Sequence, residues 1–192
     1  MAYYLKFGGV RVSIGLKRGT VTVQPHRIEW DIAAQEAISR LKNILKDDVV
    51  DVQHIGSTSV KSICAKPIID IVVGVESFDR IMIHNKELMT NGIIYRREDY
   101  PGQHLYVCGD VAKDIQTHFI HVVIWGQKAW NDYINMRDYL NSHKEKAKEY
   151  SDLKERLASA YPEDRQLYTA GKSTLIENIL RSAKEWRKNS DR

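Results

Sequence analysis

Cysteine is scarce: Cys64 and Cys108 are the only two in 192 residues. They show no metal-ligand spacing and cannot form a disulfide framework, so a reduced, cytosolic protein is expected. Long apolar runs are missing too. None approaches the roughly 20 residues that span a bilayer, so no membrane association is expected. The opening stretch MAYYLKFGGVRVSIGLKRG lacks the apolar segment of a signal peptide. There is no internal repeat and no low-complexity segment. The formal net charge is +4, mildly favourable to anionic ligands. No dense basic stripe with interleaved aromatics accompanies it, so nucleic acid is not the expected partner.

What is present suits a single domain over residues 1–192, long enough to bury a core without staples. Residues 1–24 read as short strands: Gly8-Gly9 and Lys17-Arg18-Gly19 punctuate them, Thr20 to Val23 is β-branched, and Pro25 stops the run. From Glu29 to about Leu45, Trp30, Ala34, Ala37, Leu41 and Ile44 recur at helical spacing. Val49 to Ile55 is the next strand, followed by a Gly56-Ser57 turn. After a central strand, a helix from Ser77 to Asn91-Gly92 is expected, with Ile81, Leu88 and Met89 inward. Ile93 to Arg96, Leu105 to Val107 and Ile115 to Trp125 read as strands, with a turn at Pro101-Gly102 and a connection at Gly109-Asp110. Beyond Gly126 the pattern is helical. Trp130, Ile134 and Leu140 mark one helix. Tyr150, Leu153, Leu157 and Tyr161 mark a second, broken by Pro162. Asp164 caps a third carrying Tyr168, Leu175, Ile179 and Trp186. The expected fold is α+β: a mixed β-sheet with flanking helices and a C-terminal helical segment over 126–192.

The informative stretch is HIGSTSVKSICAKPIIDIVVGV, His54 to Val75. Its apolar run reads as a strand buried on both faces, interrupted by Asp70. A carboxylate there is costly unless it meets a metal, a cation or hydrogen-bond donors. The Gly56-Ser57 turn upstream offers backbone N–H groups and a hydroxyl to an anion. Together they suggest a phosphate cradle facing a carboxylate.

The runs His54-Ile55-Gly56-Ser57-Thr58-Ser59-Val60 and Ala65-Lys66-Pro67-Ile68-Ile69-Asp70-Ile71 resemble the GrpB family, a branch of the polymerase β-like nucleotidyltransferase superfamily. Thr117-His118 through His121, Trp130 through Arg137 to Leu140, Tyr150 through Lys154, and Asp164-Arg165 through Tyr168 to Lys172 extend the likeness. It covers roughly Thr20 to Leu180 and leaves the first 19 residues outside. The resemblance implies a nucleotidyltransferase-like fold. It implies that Gly56, Ser57 and Thr58 bind a nucleoside triphosphate, that Asp70 holds Mg²⁺, and that a nucleotidyl group passes to an acceptor. The superfamily pattern asks for a second acid two residues from Asp70, where Ile68 and Val72 stand. One carboxylate does not organise a two-metal site.

Other candidates are His54, His118 and His121, as ligands or partners of Asp70. His118 and His121 are three apart on a strand and so face opposite sides. His121 and His54 are the expected neighbours of Asp70, with His121 in a catalytic role beside it. Lys66 precedes the central strand; Arg137 and Lys172 lie on the apolar stripes of their helices, placed to neutralise phosphate. At most one of Arg96 and Arg97 faces a cleft. Gly171-Lys172-Ser173-Thr174 imitates a P-loop, but Gln166 stands where its first Gly belongs.

The leading expectation is a nucleotidyltransferase. A non-catalytic module binding a nucleotide or a protein is the alternative, as the resemblance to segments fused to dephospho-coenzyme A kinases implies. A hydrolase using His54, His118, His121, Asp70 and a metal is a third.

Overall fold

The computed structural model describes residues 4–7, 10–100 and 102–190. The expected punctuation at Gly8-Gly9, Pro101 of the expected turn and the Arg97 side chain lie outside what is described.

Strands β1 (Tyr4–Phe7) and β2 (Val10–Ser13) pair antiparallel in a sheet of their own. The main sheet has six strands: β3 (Leu16–Lys17), β4 (Asp51–Ile55), β5 (Ile69–Val75), β6 (Ile94–Tyr100), β7 (Gln103–Asp110) and β8 (Ile115–Ile124). Their order is β4-β5-β8-β7-β6, and β3 pairs with the start of β8. Only β5 and β8 run parallel, so the sheet is mixed as expected.

Side-chain alternation along β5 separates two cores. Ile69, Ile71, Val73 and Val75 pack with helix α1 (Ile28–Leu45), whose buried stripe runs Trp30, Ala33, Ala34, Ala37, Leu41, Ile44, Leu45. On the other face Val72 packs with Ile55, Val123 and Trp130 of helix α4 (Lys128–Ser142). Gly74 permits that approach, because a Cβ there would lie 2.9 Å from the Trp130 ring. A third cluster joins α4, α5 (Lys144–Ala160) and α7 (Ser173–Ser190) through Tyr139, Leu140, Ala147, Tyr150, Ile179 and Ala183.

Four local expectations change. Thr20 to Val23 forms no strand; only Gln24 bridges Ala65, and the Val21 amide donates to Pro162 O at 2.7 Å. β-Branched residues make a strand only where a neighbour offers a ladder. The helix expected over 77–91 is two, α2 (Phe78–Met82) and α3 (Asn85–Thr90). At the break the His84 ring meets Asp48 at 2.9 Å, and Met89, expected inward, is 62% exposed. Gly109 and Asp110 belong to β7 and not to a connection. The third C-terminal helix divides into α6 (Arg165–Ala170) and α7, with Gly171 and Lys172 between. The Lys172 amide donates to Thr169 O, closing α6 with a tight turn, and Lys172 O accepts from Ile176 to start α7. The side chain of Asp164 caps α6 by accepting from the Leu167 amide at 2.9 Å.

Candidate functional site

A cleft of about 1180 Å³ lies on the α4 side of the sheet. Its wall includes Gly56 and Ser57 from the turn after β4, Lys66, Asp70 of β5, and Gln116, Phe119 and His121 of β8. Arg137 of α4, Tyr150 of α5, Arg165 and Tyr168 of α6, and Lys172 complete it. Of the residues expected to act, Gly56, Ser57, Lys66, Asp70, His121, Arg137 and Lys172 therefore share one cavity.

The turn after β4 is short because Ser57–Ser59 coil into one 3₁₀ turn. Gly56 enters it with φ of 69°, and a Cβ there would fall 2.4 Å from Asp70 Oδ2. Both conditions demand glycine. The result is a carboxylate lying directly against the turn. Ser59 Oγ closes the turn by donating to Gly56 O at 2.6 Å. Burial pushes the Tyr150 phenol, beside the turn, up to about 12, with Ser57 opposing the rise.

Asp70 is the one residue of β5 that is not buried, as expected of an acid that faces the turn from a strand otherwise buried on both faces. Its side chain keeps 28% exposure and opens to the cleft. His121 Nε2 lies 3.8 Å from Asp70 Oδ1. The other ring nitrogen, Nδ1, is 3.3 Å from the Tyr133 hydroxyl, which donates to Gln103 at 2.9 Å.

Opposite Asp70 stand three cations. Lys66 and Lys172 place their ammonium groups over one Tyr168 ring, at 5.2 and 4.3 Å from its centre. Arg165 donates to Gln116 Oε1 at 2.6 Å and lies 5.2 Å from the Phe119 ring centre. Among the described residues, no carboxylate comes within ion-pair distance of any of the three. Burial, then Arg165 and Lys172, pushes Lys66 down to about 7. Burial lowers Lys172 to about 8, with Asp70 opposing and Arg165 assisting. Burial also lowers Arg165, which Asp70 counters. Asp70 is thus the acid whose charge acts on all three. Lysines held this way favour losing a proton unless an anion arrives.

Three candidates are not brought to the cleft. Thr58 is buried, its hydroxyl 2.9 Å from His54 Nε2. His54, expected beside Asp70, belongs instead to Asp31 of α1, with Nδ1 at 3.9 Å, and burial pushes it down to about 4. Its strand register explains this: Ile55, not His54, stands opposite Asp70. His118 is buried on the α1 side, near Thr117 Oγ1 at 2.9 Å, and burial lowers it to about 4. The set His54, His118, His121 and Asp70 therefore does not converge on one metal position. Arg137 reaches the wall, but its Nε meets Asp138 at 2.8 Å and its Nη1 bonds Gln53 Oε1 and His54 O at 2.9 and 3.1 Å. Asp138 also pairs with Arg187, fastening α4 to α7. Arg137 is a clamp on β4.

The cleft also contains residues the sequence did not single out. Arg165 follows a helix cap, and nothing in its spacing shows that this helix end overhangs β8. Tyr150 and Tyr168 read as plain members of apolar stripes. Lys154 is buried behind the cleft wall and does not line it; it lies on the same stripe as Tyr150 and Leu157, the kind of signal that marks Arg137 and Lys172. It is 1% exposed, donates to Cys64 O, and sits 4.6 Å over the Tyr150 ring.

A resident magnesium ion asks for several oxygen ligands, and one or two carboxylates suffice only where substrate phosphates and water complete the set. Here one carboxylate faces three cations, and among the described residues no group of three His, Cys, Asp or Glu is placed to hold a metal. The donor set fits an anion and does not fit a resident divalent cation.

The GrpB protein family matches residues 20–182, leaving out the N-terminal strands as expected. The glutamate-rich protein GrpB of Alkalihalophilus pseudofirmus is 36% identical over 170 residues, 87% of this chain and 98% of that protein. The UPF0157 protein YqkA of Bacillus subtilis is 32% identical over 83% of this chain and 46% of its own greater length. The crystal structure of conserved protein GrpB from Enterococcus faecalis superposes with a TM-score of 0.79 at 31% identity, over 86% of this chain and 99% of that one. Cid1 poly(U) polymerase aligns with a TM-score of 0.45 at 12% identity, too remote to bear on activity. The matches to relatives of this length and identity place the chain in the GrpB family.

Proposed function

We propose that the cleft binds a nucleotide through its phosphates, with Lys66, Arg165 and Lys172 as the phosphate cations and the Ser57 turn as the amide donor. The observation that carries this reading is the convergence of three partly desolvated cations, without ion-pair partners among the described residues, beside a glycine turn. Clustered like charges are unfavourable in an empty site and favourable around an anion. The apolar side of the cleft, with Leu105, Phe119 and Met136, would take the base and sugar. The two buried free cysteines suit a reducing compartment, the cytoplasm. No helix among the described residues is long and apolar enough to cross a membrane.

The test is calorimetric titration with the four nucleoside triphosphates and with pyrophosphate. Lys66→Met and Lys172→Met should each weaken binding roughly tenfold or more, the usual loss for a hydrogen bond to a charged group. Absence of binding to the unaltered protein at millimolar ligand would end the proposal.

A second reading, nucleotidyl transfer, is favoured by one observation: His121 Nε2 lies 3.8 Å from Asp70 Oδ1 at the cleft wall. The pair would take the proton from an acceptor hydroxyl as its oxygen attacks the α-phosphorus and pyrophosphate leaves. Release of pyrophosphate from a triphosphate, lost in His121→Ala, would support it. Binding without turnover for every acceptor tried would leave the non-catalytic module.

A further inference from the structure

We infer that the cleft takes its polyphosphate free of divalent metal, with Lys66, Arg165 and Lys172 supplying the neutralising charge. This deepens the nucleotide reading above and rests on it. Four observations carry it. The strand positions flanking Asp70 on the cleft side, Ile68 and Val72, are apolar and buried, and Val72 is sealed against Ile55 and Trp130. No acid enters there without breaking that packing. Among the described residues the other acid on the cleft wall is Asp132, and it is paired with Lys128 at 2.5 Å. His121 is shared with Tyr133 and stands 3.8 Å from Asp70, an ion-pair separation. Finally, the three cations already outnumber the one acid whose charge reaches them all. A divalent ion at Asp70 would sit under like charge in a partly desolvated hollow, where repulsion is strongest.

The consequence is a reversed sign for magnesium. Mg²⁺ occupies the same phosphate oxygens that the lysines and arginine need, so it competes for the ligand. Asp70 likewise competes with the ligand's phosphates for the three cations. It also lies against Gly56, where its charge repels an incoming phosphate.

The experiment is titration of the full chain with pyrophosphate and with ATP, once in excess EDTA and once in saturating magnesium, with Asp70→Asn alongside. Expected are binding in EDTA at least as tight as in magnesium, and binding to Asp70→Asn in EDTA that is severalfold tighter. Binding that appears only with magnesium and is lost in Asp70→Asn would overturn the inference and leave the nucleotide reading intact. Binding under neither condition would overturn the nucleotide reading and the inference with it. Circular dichroism of Asp70→Asn establishes that it is folded. If it is not, comparison of the unaltered protein in EDTA and magnesium decides the matter alone.

Discussion

Lys154→Met isolates a single buried charge. The side chain is 1% exposed and its Nζ donates to Cys64 O, with no carboxylate in ion-pair range among the described residues. Burial pushes it down from 10.5 to about 7. A gap of that size corresponds to roughly 5 kcal/mol between its two protonation states. Between pH 7 and 10.5 the unfolded chain holds a proton on this lysine that the folded chain has released. The state that binds more protons gains as pH falls, so folding stability rises with pH across that window. The slope from this one group is about 1.4 kcal/mol per pH unit. Methionine keeps the length and removes the titration, but leaves the Cys64 carbonyl without its donor, at a pH-independent cost of ~1–3 kcal/mol. The two effects are of similar size near pH 8, so the stability change at one pH decides nothing. The slope decides. Chemical denaturation at pH 7.5 and 9.0, with reductant present, should show the unaltered protein gaining about 2 kcal/mol more than Lys154→Met. Parallel profiles would mean that Lys154 keeps its proton when buried, and the reasoning would fail.

The other predictions are shorter. Affinity for pyrophosphate should fall as pH rises from 7 to 9, because Lys66 and Lys172 lose protons there, at about 7 and about 8, and binding should take up protons. Calorimetry in buffers of different ionisation heat measures that uptake, and a flat profile would contradict it. Gly56→Ala should weaken ligand binding while leaving the protein folded but less stable, since the new Cβ collides with Asp70 Oδ2; a fully active, fully stable variant would refute the packing described. Trp130→Ala should cost about 3–5 kcal/mol in denaturation, because that ring seals Val72 and Val123 on the cleft side of the sheet. A loss below about 1 kcal/mol would mean the second core is not closed by this helix.

Much of the fold was legible because its signals are local and periodic. The stripe of Trp30, Ala34, Ala37, Leu41 and Ile44 has the period of an amphipathic helix, and the run around Asp70 is short and β-branched, which favours a buried strand over a helix. Parity along β8 is enough to separate His118 from His121, and the two do face opposite sides of the sheet. What escaped depends on distant partners. The β-branched stretch from Thr20 to Val23 has strand composition but joins no sheet, and only Gln24 beyond it bridges Ala65. Thr58 turned inward because a 3₁₀ turn rotates its middle residue away from the first. His54 found Asp31, which lies on a helix that no spacing rule connects to β4. The break at Gly171 carries Lys172 to Tyr168, yet the apolar stripe runs through it without interruption. Arg165 stood in a matched run, but its role as a cleft cation follows from Gln116 and Phe119 beneath it.

The central claim is that three cations at the Ser57 turn form an oxyanion-binding site. Its most direct test is an anomalous difference map from crystals soaked in tungstate, a tetrahedral oxyanion. The account predicts the principal peak within hydrogen-bonding reach of Lys66, Arg165 and Lys172, against the turn that opens with Gly56. Tungstate bound elsewhere with that cluster empty, or the three side chains turned out of the cleft, would contradict it.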